Sequence, residues 1–351
     1  VLENRFWRIK EVNLSLKTSV ELIKNLVCLT LDRKRISLSI LYLYTIIKLV
    51  KPKVILTSVD NSLQFHQLAE LLHEKIIFFA IQNANRLDYL NNEYNIKNSL
   101  SNIDYNSHIF IPNLICFGDI EEKLAKKLNL NIKNFLKYGS IRTANFYYYI
   151  DKEKINISKN LYDVCLISEP VDNFNEKFKK KRIEEGLGSL ARYTIKFAIE
   201  KNLKFIFAPK YTKYKENDMH RKEIEFYKKH LNQKEFDYLI KNLNEKKHRY
   251  SSYLAIFQSK VVVGCQSTLL RDKIGLREKI LSSNLTDYEN YNFPIDGICT
   301  INNCSYDQFS LRLSKILSID TKTYFENLNL NEVMMYDENN NMLDKVRLKI
   351  N

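Results

Sequence analysis

Buried strand-like runs alternate with amphipathic helical segments twice along this chain, and that alternation restricts its fold more than any other feature. In the first series, apolar runs at 53–59 and 76–81 flank a helical segment. In the second series, similar runs lie at 162–168, 203–208 and 261–263. Strands that alternate with helices form parallel sheets. The sequence therefore predicts an α/β protein with two Rossmann-like parallel sheets.

A charged, polar segment at 151–160 separates the two series, and we interpret it as a linker. The 351 residues are enough for two domains of roughly 150 residues each. We expect an N-terminal domain at 1–150, a second domain at 161–319 and a polar tail at 320–351. Ligands of open parallel sheets bind at the carboxyl ends of the strands. We therefore expect the two domains to face a cleft lined by polar strand-end residues.

The charge and cysteine content indicate an anionic partner and a reducing compartment. There are 55 Lys and Arg against 41 Asp and Glu, a net charge of +14, which suits a nucleotide, a nucleic acid or an acidic membrane surface. The six Cys form no CxxC pair, so neither a zinc site nor a disulfide framework is supported. No run of 18 apolar residues and no signal-peptide pattern occurs, so we expect a cytoplasmic location.

The segment 260–281 contains the most informative turn of the second series. Three valines reach Gly264, and the polar residues Gln266, Ser267 and Thr268 follow before a helical pattern resumes. Backbone N–H groups at a helix start, together with hydroxyl groups, bind phosphates. We expect a phosphate or nucleotide contact here, and ordinary helix N-capping is the alternative.

Four segments carry a resemblance to a known family: TSVDNSLQFH at 57–66, IQNANR at 81–86, FGDIEEKLAKKL to YGSIR at 117–142, and STL at 267–269. In this order they resemble GT-B glycosyltransferases, and more closely the bacterial surface-carbohydrate transferases of capsule and O-antigen synthesis that use cytidylyl-activated Kdo. The resemblance covers roughly residues 50–285.

The sequence departs from that family at four places. Ala84 stands where the family has Gly, and Leu270 replaces a Gly after STL. Asp272 stands in place of Glu, and Pro209 and Lys210 replace a His-Pro pair. These departures concern mainly the identity of the donor sugar.

The resemblance implies a metal-independent glycosyltransferase with the GT-B architecture. It would take a nucleotide sugar, with CMP-linked Kdo as the donor of the family, and pass the sugar to a glycan or lipid-linked acceptor of surface polysaccharide or glycolipid. The nucleotide sugar is a co-substrate, so no cofactor is expected. The sequence has no strand-end DxD and no HExxH pattern, which also argues against a metal site.

Asp60 is the acidic residue best placed for catalysis in the first series. A sugar transfer needs a base for the acceptor hydroxyl or a carboxylate beside the oxocarbenium-like centre, and Asp60 suits either role. Capping of the helix that begins near Leu63 is the alternative. Glu169 is a second candidate for this carboxylate. His66 could be a base or a partner of Asp60, although a lone helical His is more often structural. Arg86 would pair with a substrate carboxylate, or with an acidic neighbour that holds its loop.

The remaining candidates are polar residues at predicted strand ends. For acceptor binding we select Asn61, Gln82, Asn83 and Arg142. For donor nucleotide binding we select Gly139, Ser140, Ser168, Lys210, Gln266, Ser267 and Thr268. Lys210 would neutralise the leaving phosphate, whereas a solvated Lys and a turn Ser are the alternatives for Lys210 and Ser168.

Three other functions remain open. A nucleotide-sugar 2-epimerase of the same fold would need several acidic and His residues in its cleft, and few are available. A nucleic-acid binder would suit the net charge, but no RRM, KH or zinc signature occurs, and we expect no nucleic-acid partner. A glycan-binding protein without turnover is compatible with Ala84 and Leu270. The basic run KFKKKR at 177–182 would hold the protein at an anionic inner membrane, or it is a solvated face.

Overall fold

A computed structural model describes most of the chain. The described residues are 20, 23–25, 37–84, 109–169, 177–211, 218–245, 250–335 and 342–350. Arg86, the predicted loop at 91–107 and nearly all of a predicted helix at 19–31 lie outside them.

The first sheet has four strands in the order β1–β2–β3–β4. Its strands are β1 Val54–Thr57, β2 Ile77–Ile81, β3 Phe110–Cys116 and β4 Asn131–Lys137. The helices of this part of the chain are α1 Leu38–Val50, α2 Leu63–Leu72, α3 Asp119–Lys127 and α4 Ile141–Lys152. The predicted alternation of strand and helix is therefore confirmed, and α4 extends two residues into the predicted linker.

The sequence predicts two short strands around Pro112, at 108–112 and 114–117, but strand β3 runs through the proline without interruption. Proline has no N–H to donate to a neighbouring strand. The side-chain amide of Asn113 donates instead to the carbonyl of Phe78 on β2, at 2.9 Å. On the other side, the side-chain amide of Asn134 donates to the Pro112 carbonyl at 3.0 Å. Asparagine side chains thus add hydrogen bonds on both sides of the proline.

The second sheet has five parallel strands in the order β6–β5–β7–β8–β9. Its strands are β5 Tyr162–Ile167, β6 Phe205–Ala208, β7 Ser259–Gly264, β8 Ile280–Asn284 and β9 Thr300–Asn302. From β5 the chain goes to β6 on one side, and β7 lies on the other. The crevice between β5 and β7 is thus the point where the strand order reverses, which is where such sheets bind ligands.

Nine helices accompany the second sheet among the described residues. They are α5 Lys177–Glu200, α6 Asp218–His230, α7 Gln233–Lys241, α8 Ser251–Phe257, α9 Thr268–Gly275, α10 Tyr306–Ser318, α11 Thr321–Phe325, α12 Leu330–Val333 and α13 Met342–Ile350. The sequence predicts α5 only from 189. Glycines interrupt the helical sequence pattern in its first half. One of them, Gly186, lets α5 approach the backbone at Leu285 closely, because a Cβ there would lie 2.4 Å from the Leu285 carbonyl oxygen.

The chain divides into two compact units. The first holds the described residues up to Ile81, with 109–114 and Leu130–Asn134. The second holds the other described residues, including Gln82, the carboxyl ends of β3 and β4, and everything from α4 onward. The predicted domain boundaries remain a prediction. The segment predicted as a polar tail contributes Tyr324, Leu330 and Val333 to the buried core of the second unit.

Strand β7 lies at the centre of that core. Val261, Val262 and Val263 are all fully buried, because helices cover both faces of a parallel sheet. The five described cysteines, at 116, 165, 265, 299 and 304, form no disulfide bond with one another. Within the described ranges, none of the helices has both the length and the apolar character needed to cross a membrane.

Candidate functional site

The β7–α9 turn, residues 264–268, has the strand–turn–helix form that the sequence predicts. Buried β7 ends at Gly264, and α9 begins at Thr268. The hydroxyl of Ser267 accepts a hydrogen bond from the Leu269 N–H at 3.3 Å and so caps the helix. The N-capping alternative for Ser267 is therefore observed, which leaves its contact with a nucleotide as a prediction.

The backbone amides of the β7–α9 turn already bind an anionic side chain of the chain itself. The Cys265 N–H donates to Oε1 of Glu169 at 2.7 Å, and the Gln266 N–H donates to Oε2 at 2.9 Å. The Ser267 backbone adds a further hydrogen bond to the same carboxylate. Glu169 follows β5, the strand that pairs with β7. The sequence predicts that these amides bind a phosphate, but in the structure they bind the carboxylate of Glu169.

Gly264 is required for this approach. A Cβ at that position would lie 2.7 Å from Oε1 of Glu169 and equally close to the side chain of Ile167. Burial raises the pKa of Glu169, while the N–H groups of the turn and the charge of Lys210 favour its charged form.

A second buried carboxylate occupies the amides after β6. Glu223 of α6 is 1% exposed, and it accepts the N–H of Lys210 at 2.6 Å and the N–H of Tyr211 at 3.0 Å. Nδ1 of His220 lies 3.8 Å from Oε2 of the same carboxylate. The side chain of Lys210 is exposed, with its Nζ 5.2 Å from the centre of the Tyr211 ring.

Ser168, at the end of β5, is held between a neighbouring strand and α6. Its N–H donates to the Ala208 carbonyl at 3.0 Å, and its hydroxyl accepts from the Tyr227 hydroxyl at 2.9 Å. Burial raises the pKa of Tyr227 well above its ordinary value, so this phenol stays protonated and able to donate. Glu223 and Tyr227 share one face of α6, and they connect the ends of β5 and β6.

The structure thus brings together the predicted donor residues that follow β5, β6 and β7. These are Ser168, Lys210, Gln266, Ser267 and Thr268. Sequence reasoning missed Glu223, His220 and Tyr227, which hold this edge of the sheet from α6. Their signal was the spacing of residues 223 and 227 on one helical face, but 10 of the 35 residues at 213–247 are Lys or Arg, and this charge obscures the apolar pattern.

Gln82 lies in the second unit and its side-chain amide is held on both sides. Its Nε2 donates to the Ala84 carbonyl and to Oε1 of Glu121, both at 3.0 Å. Its Oε1 accepts the Phe117 N–H at 3.1 Å. These bonds fix the start of the loop that carries Asn83, so the observed role of Gln82 is to position that loop. Acceptor binding by Gln82 remains a prediction.

Glu121 connects this loop to α9 through a fully buried arginine. Nη1 and Nη2 of Arg271 donate to the two carboxylate oxygens of Glu121 at 2.6 Å and 3.2 Å. Nε of Arg271 donates to the Val333 carbonyl at 3.0 Å, and its guanidinium lies 4.8 Å from the centre of the Phe117 ring. This bidentate geometry is the strong form of an ion pair.

The other two charged residues of α9 are also fully buried, each with partners of its own. Asp272 accepts the Tyr253 hydroxyl at 2.7 Å. Lys273 donates from Nζ to the carbonyls of Ile256 and Ser259 and to Glu278, at 2.6–2.8 Å. Burial lowers the pKa of Lys273 and raises the pKa of Asp272. Asp272 therefore faces the protein interior.

Gly139, Ser140 and Arg142 lie at the start of α4. The Gly139 N–H donates to the Cys116 carbonyl at 3.2 Å, and the Ser140 hydroxyl accepts the Thr143 N–H at 3.3 Å as the helix cap. The Arg142 side chain is exposed, and its charge favours the ionised form of Asp272. The start of α4 therefore lies beside α9 rather than at an isolated turn.

Asp60 and His66 lie in the first unit. Asp60 is 8% exposed and does not cap α2, because the hydroxyl of Ser62 accepts the Phe65 N–H at 3.3 Å in that position. The capping alternative for Asp60 is therefore wrong. Asn61 beside it is exposed, and Asn83, in the second unit, is partly buried.

His66 is 1% exposed, and its ring is fixed by one hydrogen bond. Nδ1 lies 3.3 Å from the Phe110 carbonyl, which can only accept, so Nδ1 carries the proton and Nε2 a lone pair. Nε2 is buried without a hydrogen-bond partner. Burial lowers the pKa of His66, and the hydrogen bond to Phe110 and the charge of Asp60 oppose that shift. His66 is thus a neutral acceptor near a carboxylate.

Over the part of the chain that the structure covers, no three His, Cys, Asp or Glu side chains are grouped to hold a metal ion. Arg86, for which the sequence predicts a catalytic role, lies outside that part.

Comparison with known proteins gives a fold but no family. The sequence matches no protein-family model and no curated protein. Sucrose-phosphate synthase from Thermosynechococcus elongatus has a TM-score of 0.50 at 9% identity, over 89% of this chain and 76% of that one. The α,α-trehalose-phosphate synthase (UDP-forming) from Burkholderia vietnamiensis has a TM-score of 0.46 at 9% identity, over 94% and 80%. With its two parallel-sheet α/β domains and the likeness to sucrose-phosphate synthase, this chain has the GT-B fold, as the sequence predicts.

Proposed function

We propose that this protein is a glycosyltransferase that binds a nucleotide-activated sugar at the carboxyl edge of the second sheet. The observation that carries the proposal is the set of polar residues gathered where β5, β6 and β7 end, in a chain with the GT-B fold. Ser168, Lys210 and Gln266 contribute to this set. Open parallel sheets bind their ligands at this switch point. The sheet edge is therefore the best-supported place for the donor.

The proposed reaction is a displacement at the anomeric carbon of the donor sugar. The bond from that carbon to the donor phosphate oxygen breaks, and the phosphate leaves with the electron pair. Lys210, exposed at the end of β6, would stabilise that charge. The acceptor hydroxyl oxygen forms the new bond to the anomeric carbon, and its proton passes to a base.

We propose Asp60 as that base, with His66 as its neighbour and Arg86 as the partner of a substrate carboxylate. The support for Asp60 is its burial combined with the fact that Ser62, not Asp60, caps the following helix. Asn61, Asn83 and Arg142 would contact the acceptor. Gln82, whose amide is held by Glu121 and Phe117, would hold the loop that carries Asn83 in place.

Gly139 and Ser140 would join the residues of the β7–α9 turn on the donor side. The sequence resemblance favours a cytidine- or uridine-activated sugar, with a CMP-linked Kdo-type sugar as the specific donor. The acceptor would then be a bacterial surface glycan or a lipid-linked precursor. We propose that transfer needs no metal ion and takes place in the cytoplasm, with the protein held at the anionic inner membrane by basic side chains such as Lys181.

Calorimetric titration with CMP, UDP and GDP tests the proposal, with and without a metal chelator. We expect one nucleotide to bind with a micromolar Kd that the chelator does not change. Lys210→Ala should weaken that binding by about tenfold, because it removes one charge-assisted contact to phosphate. Lys201→Ala, which changes an exposed lysine just after α5, is the matched control and should bind like the wild type. If none of the three nucleotides binds, the proposal is wrong.

A further inference from the structure

We infer that Glu169 determines which ligands the β7–α9 turn accepts: its carboxylate already holds the amides there, so a phosphate group binds at this turn only in its place. The inference rests on the proposed function in one respect, namely that the natural competitor is the phosphate of a sugar donor. The competition with Glu169 itself applies to any phosphate or pyrophosphate group.

The geometry leaves room for one anion at the turn. The two carboxylate oxygens of Glu169 accept the N–H groups of Cys265 and Gln266 at 2.7 Å and 2.9 Å, one oxygen on each amide. The backbone at Gly264 approaches so closely that a Cβ would lie 2.7 Å from Oε1. A phosphate oxygen placed on these amides would overlap the carboxylate and would meet its negative charge. The two anions therefore exclude each other.

Glu169 is a strong competitor because it belongs to the same chain. It lies two residues beyond β5, and β5 pairs directly with β7 through Leu166 and Val263. A group tethered so closely has an effective concentration on the order of millimolar or above, which a ligand in solution must exceed. Hydrogen bonds from N–H groups to a charged carboxylate are also stronger than those to a neutral acceptor. The intact turn should therefore bind phosphate groups weakly.

When a phosphate displaces the carboxylate, Glu169 no longer accepts the N–H groups of the turn. The charge of Lys210 already acts on Glu169 in its present position. A donor whose phosphate sits on the turn would therefore meet two charges of opposite sign at this sheet edge. Glu169 weakens the binding of every phosphate ligand here, and Lys210 strengthens it, so the balance of the two residues sets the affinity.

Thermal denaturation in increasing inorganic pyrophosphate, at constant ionic strength, tests the inference on the full chain. A ligand that binds only the native state raises the denaturation temperature in a saturable way. We expect the apparent Kd for pyrophosphate to be at least about tenfold lower in Glu169→Ala than in the wild type, since the tethered competitor is gone. Glu185→Ala removes a carboxylate whose side chain is 56% exposed, and this control should match the wild type.

Glu169→Gln serves as a second variant, because it keeps the side-chain length and one oxygen acceptor but removes the charge. We expect its apparent Kd for pyrophosphate to lie between those of the wild type and Glu169→Ala. If Glu169→Ala does not fold, the comparison of Glu169→Gln with the wild type tests the inference. Equal pyrophosphate affinity in the wild type and in both variants would overturn the inference. Tighter pyrophosphate binding by the variants, with no nucleotide bound by any of them, would support the inference while removing the proposed function.

Discussion

At the scale of single residues, Glu121 joins three groups of the second unit through its buried carboxylate. It accepts from Arg271, from Gln82 and from the Gly118 N–H. Glu121→Gln leaves the buried Arg271 without a compensating charge. We expect the free energy of unfolding to fall by about 3–5 kcal/mol, measured by urea denaturation.

The double variant Glu121→Gln with Arg271→Met is the control for this prediction. Once the buried positive charge is removed as well, the loss should be smaller than the sum of the two single losses by about 1–3 kcal/mol. A loss below about 1 kcal/mol in Glu121→Gln alone would show that the pair contributes little.

His66 predicts a pH dependence of stability. Its pKa in the native state is lowered below the ordinary value of 6.5 by burial. Between those two values the unfolded chain holds a proton that the native chain lacks, so stability rises with pH through this window and falls as the pH drops below about 6.5. The slope is at most about 1.4 kcal/mol per pH unit.

His66→Gln should lack this part of the pH dependence. Urea denaturation of the wild type and the variant at about pH 5 and about pH 8 checks it. The stability advantage of the wild type over the variant should be smaller at the lower pH. An advantage that stays the same, or grows as the pH falls, would contradict the assignment of a neutral, buried His66.

The sequence predicts single residues well where the chemistry is local. The Ser267 hydroxyl accepts from a residue two positions away, and a Ser before a helical pattern indicates that arrangement. The contact between Gln266 and Glu169 joins residues 97 positions apart, and it forms only because β5 and β7 are neighbours. Residue type and spacing do not show which strands are neighbours, so Glu169 could not be placed on the turn in advance.

At the scale of elements, the cap of α2 separates two roles that the sequence left open. Ser62 accepts the Phe65 N–H, so Ser62→Ala should lower the free energy of unfolding by about 1 kcal/mol. Asp60→Asn should leave the cap intact and should not reproduce this loss of helix stability. Far-UV circular dichroism during urea denaturation of both variants checks the prediction. A free energy of unfolding of Ser62→Ala equal to that of the wild type would contradict it.

Elements were predictable where one periodicity extends over the whole segment. Helix α2, predicted at 63–73, and strand β2, predicted at 76–81, follow their predicted bounds within one residue. Strand β3 was predicted as two pieces because Pro112 normally ends a strand, and the compensating amide of Asn113 is a tertiary contact. Strand β9 has only three residues, too few for a recognisable alternation.

At the scale of the whole molecule, the alternation of strands and helices was enough to predict two parallel-sheet domains. The order β6–β5–β7–β8–β9 was not predictable, because it depends on pairing between distant strands. The segment after 319 was predicted to be a polar tail. Glu and Asn interrupt its apolar residues at 326–332. Even so, Met335 donates from its N–H to the Phe117 carbonyl at 2.7 Å, and Val333 accepts from Arg271.

The central claim is that this chain transfers a sugar from a nucleotide donor with Asp60 as the base. The most direct test is the release of free nucleotide from a panel of CMP-, UDP- and GDP-sugars, measured with the wild type and with Asp60→Asn. We expect release from one donor class by the wild type, and a loss of at least about a hundredfold in Asp60→Asn, with nucleotide binding retained. No release from any donor, or full activity in Asp60→Asn, would contradict the claim.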